Sequence, residues 1–164
     1  MWDKIERLDT VPGVDRRTAE VALAEVGTDV KPFPTHDHLA SWTGMCPGNE
    51  ESAGKRQRGR ITPGNRWLKR SLVQAAWAAS HTKDTYLATR YRRLAGRRGK
   101  KRALIAVGHS ILVIFYHMLK DGTSYIELGA DFFDRLDPER LTRYYVKRLE
   151  SLGHKVTLES GVTA

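Results

Sequence analysis

Apolar residues recur along this chain at helical rather than strand spacing. Trp2 to Leu8 reads as a first short helix. A tight "TVPGV" turn follows, and "DRRTAEVALAEVG" places Ala19, Ala22, Leu23 and Val26 on one helical face. Gly27 stands where a glycine often closes a helix. "TDVKPFPTHD" reads as a loop, with Asp37 as the expected cap of a short helix in "HLASWTGM". From Asn65 a long helix is predicted, with Trp67, Leu68, Ser71, Leu72, Ala75, Ala76 and Ala79 as its packed face. The ten-residue separation of Trp67 and Trp77, close to three turns, assigns both rings to the core. Another helix is expected over Lys83 to Leu94, then a basic link "AGRRGKKRA", then an apolar helix over residues 103–119 ended by Lys120, Asp121 and Gly122. In the tail, Asp137 is an N-cap with Pro138 at the first helical position, the helix stops at Gly153, and "HKVTLES" can form a short strand. This pattern predicts a mainly α fold: a small helical domain over residues 1–95 with an N-terminal helix-hairpin-helix element, and a C-terminal helical extension over 96–164.

Length and charge narrow the function classes. The 164 residues allow one ordinary domain, or a domain plus a helical extension. Twenty-eight Lys and Arg against 19 Asp and Glu leave a net charge of +9, which favours a polyanionic partner or serves solubility alone. Cys46 is the only cysteine, so an internal disulfide and a Cys-based zinc cluster are both excluded. The charged N-terminus lacks the apolar core of an export signal, and the stretch at 103–119, interrupted by His109, Ser110 and His117, is short for a membrane span. No membrane partner and a cytoplasmic location are expected. His36 and His38 lie in a proline-rich loop without a metal-ligand pattern and read as surface residues, whereas His109 and His117 read as hydrogen-bonded core residues.

Three features could carry chemistry. In a helix-hairpin-helix element the glycine of the turn lets backbone N–H groups approach a phosphate, and Gly13, Arg16 and Arg17 stand at the matching places. Asp15 occupies the position of a second glycine, where it caps the helix but repels a phosphate, so a plain scaffold hairpin is the competing reading. The segment from Lys55 to Arg70 carries Lys55, Arg56, Arg58, Arg60, Arg66, Lys69 and Arg70 without an acid, broken by glycines as a loop running into a helix would be. A second basic cluster spans Arg90 to Arg102. Such runs either track a nucleic-acid backbone or form a solvated charged face. Third, Ser52 is the only hydroxyl between Pro47 and Ile61. It has no hydrolase-type elbow or triad spacing, but a serine attacking a phosphodiester needs guanidinium groups beside it to offset charge at phosphorus. On residues alone it is either a loop bystander or a nucleophile.

The order of motifs then resembles the C-terminal domain of IS110-type (IS116/IS110/IS902) transposases. It runs from a V-P-G hairpin at Val11–Ala19 through W-x-G-h-x-P at Trp42–Pro47, E-S at Glu51 and Ser52, and the basic glycine loop Lys55–Arg60. "ITPGN" at Ile61–Asn65 and a Leu-basic helix at Leu68–Leu72 complete it. The resemblance is strong over about residues 8–90. It implies a DNA recombinase in which Ser52 is the nucleophile joined to DNA. Its metal would be Mg²⁺, held by a separate N-terminal RuvC-like half, so no cofactor is expected in this chain. A structured guide RNA and an oligomer of identical full-length chains are further implications. Ala53 and Pro63 depart from a glycine and a lysine common in the family. The chain begins almost at the hairpin, so the resemblance implies that by itself it binds DNA without cutting it. The alternative function is a non-enzymatic helix-hairpin-helix module that binds DNA or RNA without using Ser52.

Overall fold

The computed structural model describes residues 1–46, 51–52, 55–56 and 63–159. Among these the chain forms eight helices and one two-stranded ladder, so the fold is mainly α. Two compact units are formed, Met1–Ala130 and Asp131–Ala164.

In the first unit α1 (Trp2–Asp9) and α2 (Arg16–Val26) make the helical hairpin. Its turn is closed by Val11 N–H donating to Leu8 O at 3.2 Å and Val14 N–H to Val11 O at 3.0 Å, with Val11 and Val14 buried. The Asp15 carboxylate caps α2 by accepting from Thr18 N–H at 2.8 Å, and hydrogen bonding to Thr18 holds its carboxyl below the usual carboxylate range. Helix α3 (His36–Thr43) begins two residues earlier than expected: Thr35 is its N-cap position and Asp37 sits in the first turn. The left-handed Gly44 ends it, at φ 72°.

Helix α4 (Arg66–His81) is the organising element, packing on α2, α3, α5 and α6. Leu68, Leu72, Ala75, Ala76 and Ala79 are its buried stripe. Gly13 of the hairpin turn, at φ +82°, lies so close to this stripe that a Cβ there would stand 2.3 Å from Ala79 N and 2.5 Å from Ala75 O. Helix α5 (Tyr86–Arg98) is capped by the Thr85 hydroxyl, which accepts from Ala88 N–H, and it runs into the first four residues of the expected basic link. Gly99, at φ 86°, turns the chain directly into α6 (Lys100–Asp121). Arg97, Arg98, Lys100, Lys101 and Arg102 therefore lie on helix ends rather than in a linker. By length and composition α6 could cross a membrane; here Ala103, Val107, Gly108, Ile111, Leu112, Phe115, Tyr116 and Met118 are buried in the core.

The expected division after residue 95 cuts through this packing, because α5 continues to Arg98 and α6 packs against both α4 and α5. The boundary between units falls after Ala130 instead. The second unit holds α7 (Phe132–Leu136), which the pattern did not predict, and α8 (Pro138–Ser151). Asp137 caps α8 by accepting from Arg140 N–H at 3.0 Å, with Pro138 in its first turn, as expected. Residues 154–159 form no strand.

Candidate nucleic-acid interface

The segment that carries Ser52 is tied down where it leaves and rejoins the helical core. At the leaving end Met45 is buried, and Met45 N–H donates to Ala40 O at 2.8 Å. At the returning end a Cβ on Gly64 would stand 2.3 Å from Gly44 N and 2.4 Å from the carbonyl carbon of Thr43. Only a glycine lets the two backbones meet so closely. Asn65, next in sequence, joins three elements. Its N–H donates to Trp42 O at 3.2 Å, and its Oδ1 accepts from Trp67 N–H and Leu68 N–H, both at 3.0 Å, capping α4. Its Nδ2 donates to the Glu25 carboxylate of α2. Between the two anchors β1 (Glu51–Ser52) pairs antiparallel with β2 (Lys55–Arg56), in the register Glu51 with Arg56 and Ser52 with Lys55. Ser52, Lys55 and Arg56 are thus brought together on one backbone ladder; Arg58 and Arg60 lie outside the described residues.

Beside this anchor, α2 and α4 border a groove of about 490 Å³. Arg17, Glu25, Trp67, Arg70, Ser71 and Gln74 contribute to its walls. Trp67 is 59 % exposed, with the Arg66 guanidinium 5.3 Å from its ring centre. Trp77 is equally exposed and packs its ring on His81 at 4.5 Å. The core assignment of both tryptophans is therefore corrected. At about 100° per residue, the buried stripe centres about 120° around the helix from Trp67, and Trp77 lies about 80° from Trp67 on its other side, roughly 160° from the stripe. Spacing between the two rings was read correctly as helical, but their side of the helix was not.

The other predicted residues divide. Arg16 is exposed, paired with Glu20 at 3.0 Å and stacked over Trp2 at 4.8 Å. Arg17 and Arg70 face the same groove, while Lys69 lies half-buried on α4 outside it. Gly13 is engaged by α4, and the carboxylate of Asp15 already takes an N–H at the start of α2. The hairpin turn thus packs its glycine against α4 while Asp15 caps α2. His117 is corrected from core to surface, where it pairs with Asp121 at 3.5 Å; it is half-exposed because α6 turns that side away from α4. His109 is half-buried, and burial together with the Arg90 charge lowers its pKa. His38 is exposed and bonded to the Thr35 hydroxyl at 2.8 Å, whereas His36 is half-buried with its ring 5.4 Å from that of His117.

A second cleft, of about 620 Å³, was not legible in the sequence. It lies along α5 and α6 under residues 123–128, with Tyr86, Arg90, His109 and Tyr125 in its walls. Arg90 Nη1 donates to Tyr86 Oη at 3.0 Å, and Tyr125 Oη donates to Glu127 at 3.0 Å. Burial pushes the Tyr125 hydroxyl far above its usual range. Among the described residues no group of three or more His, Cys, Asp or Glu could hold a metal ion.

The fold and site define a helical domain that clamps a serine-bearing segment beside a groove lined by two arginines, a tryptophan and a glutamate. The transposase IS116/IS110/IS902 family matches residues 5–92, more than half of the chain. The chain belongs to that family. It is also 39 % identical over 122 residues to the insertion element IS110 uncharacterized 43.6 kDa protein of Streptomyces coelicolor. That alignment covers 72 % of this chain and 29 % of the relative, so the chain spans under a third of the relative's length.

Proposed function

We propose that the chain is the DNA-binding, serine-bearing part of a transposase that cuts and rejoins DNA strands through Ser52. The observation that carries this is the clamp at Gly44 and Gly64, which fixes both ends of the Ser52 segment next to the capped start of α4 and its arginines. A nucleophilic loop must be held in register with the phosphate it attacks, and backbone clamping supplies that order.

In the attack the Ser52 hydroxyl oxygen forms a bond to phosphorus and its proton passes to water. The bond from phosphorus to the leaving nucleotide oxygen breaks, and that oxygen takes up a proton. The phosphoserine ester keeps the bond energy for rejoining, when a strand hydroxyl displaces Ser52. Lys55, Arg56, Arg58 and Arg60 offset charge on the phosphate, while Arg16, Arg17, Arg66, Lys69 and Arg70 bind the flanking backbone. By family resemblance the Mg²⁺ that assists the attack would be held by acidic residues of a RuvC-like domain, and it would supply charge stabilisation at the phosphate oxygens. The chain alone then binds DNA without cutting it. A structured guide RNA, self-association of full-length protein and residence with DNA in the prokaryotic cytoplasm belong to the same proposal.

The test supplies the chain with a metal-binding RuvC-like domain of the family, Mg²⁺, element DNA and its RNA, then digests the protein for mass spectrometry. A nucleotide adduct on the Ser52 peptide is expected. No adduct at Ser52, or one that persists in Ser52→Ala, overturns the assignment.

A further inference from the structure

We propose that the groove between α2 and α4 receives one unpaired nucleotide of the DNA strand beside the Ser52 segment; this rests on the DNA-binding reading above. The groove has the parts an unstacked nucleotide requires. Trp67 offers an exposed aromatic ring, and base stacking on such a ring contributes about 1–3 kcal/mol per base. Arg17 and Arg70 supply charge for the phosphate, and Ser71 and Gln74 supply donors and acceptors for a base edge. The groove's volume of about 490 Å³ falls in the range of small-molecule sites.

Position argues for the same occupant. Asn65 closes the returning end of the Ser52 segment and also bonds Glu25, a wall residue of the groove. Trp67 N–H is one of the two groups that the Asn65 side chain caps. The groove and the returning end of the serine segment therefore share one fixed backbone junction, which sets the Trp67 ring beside the point where that segment rejoins the helices. A large indole 59 % exposed on a helix that has five buried apolar positions elsewhere is not accounted for by core packing. The three arginines around it, Arg17, Arg66 and Arg70, outweigh the Glu25 carboxylate, which accepts from Asn65, and so match a phosphate strand in charge.

The experiment titrates the chain, with fluorescence anisotropy, against a labelled duplex, the same duplex with one bulged base, and the RNA version of the bulged duplex. Bulged DNA is expected to bind about five- to a hundredfold more tightly than paired DNA, by the stacking contribution. Trp67→Ala abolishes that preference and leaves paired-duplex affinity within about twofold, while Trp67→Phe keeps most of it. Because Trp67 is exposed, both variants retain the parent's unfolding midpoint. Equal binding of bulged and paired DNA, or a preference that survives Trp67→Ala, overturns the nucleotide pocket while leaving DNA binding intact. RNA bound more tightly than DNA through Trp67 overturns DNA as the occupant. Absence of binding to any duplex overturns the reading on which the pocket rests, and the pocket with it.

Discussion

The two faces of α4 obey opposite rules. On one side, Leu68, Leu72, Ala75, Ala76 and Ala79 are buried against neighbouring helices and shrink from leucine to alanine along the helix. That shrinkage admits the backbone of the hairpin turn at Gly13. On the other side stand Trp67, Arg70, Gln74 and Trp77, exposed and large. Folding explains the first face through apolar burial and close packing. It does not explain the second, whose side chains remain in water. A helix can thus carry the core and the candidate interface at once, and exposure rather than residue type separates them.

The sharpest way to break the buried face is Gly13→Val. The new side chain meets the α4 backbone and sits at a left-handed φ that a β-branched residue resists. A loss of about 4 kcal/mol is expected in urea unfolding, a large share of the stability of an ordinary domain. Leu72→Ala follows, at about 3 kcal/mol, from lost burial plus a cavity. Trp77→Ala on the opposite face is the control, with a stability change within about 0.5 kcal/mol. A Trp77→Ala loss as large as that of Leu72→Ala would end the contrast between the faces.

Asn65→Ala tests the junction between them. It removes the cap of α4 and leaves Glu25 without its amide donor, so about 1 kcal/mol of stability is expected to go, read again by urea unfolding. Arg70→Ala tests the exposed face alone. Stability stays unchanged, and the slope of log affinity against log salt for duplex DNA becomes shallower by about 0.9, the contribution of one phosphate contact. An unchanged slope would place Arg70 off the DNA path.

Most of the core was legible because its rules are local. Helical spacing located α2, α4 and α6, and the cap chemistry of Asp15 and Asp137 placed two helix starts, whereas Asp37, read as a cap, lies in the first turn of α3. Failures came where tertiary partners decide. Trp67 and Trp77 share a helix with the core stripe, and nothing local says which side α2 and α6 will cover. Gly13 left two readings open, since a glycine serving close backbone approach has the same sequence signature whether the approaching group is a ligand or a helix, and the helix α4 does approach it. The run from Arg97 to Arg102 looked like a linker because charge hides helical period, while its exposed side chains sit on two helix ends around Gly99. The candidate site was legible only as an order of motifs. The junction at Gly44, Gly64 and Asn65 joins residues far apart in sequence, and no spacing rule announces it.

His109 gives the smallest effect and a test at the border between buried and exposed surfaces. It lies half-buried on α6, where burial and the nearby Arg90 charge disfavour its protonated form and the Asp37 carboxylate partly offsets them. Its folded pKa is therefore below the ordinary 6.5. As pH falls through 6.5 the unfolded chain takes up a proton that the folded chain refuses, so this contribution to stability is complete above that pH and declines below it, levelling once the folded value is passed. Urea midpoints measured from pH 7.5 down to pH 5 should fall in the parent and fall less in His109→Gln, which carries no titrating ring. Parallel curves for the two proteins would mean that His109 is solvated like the exposed face of α4, and the decline would then belong to other groups.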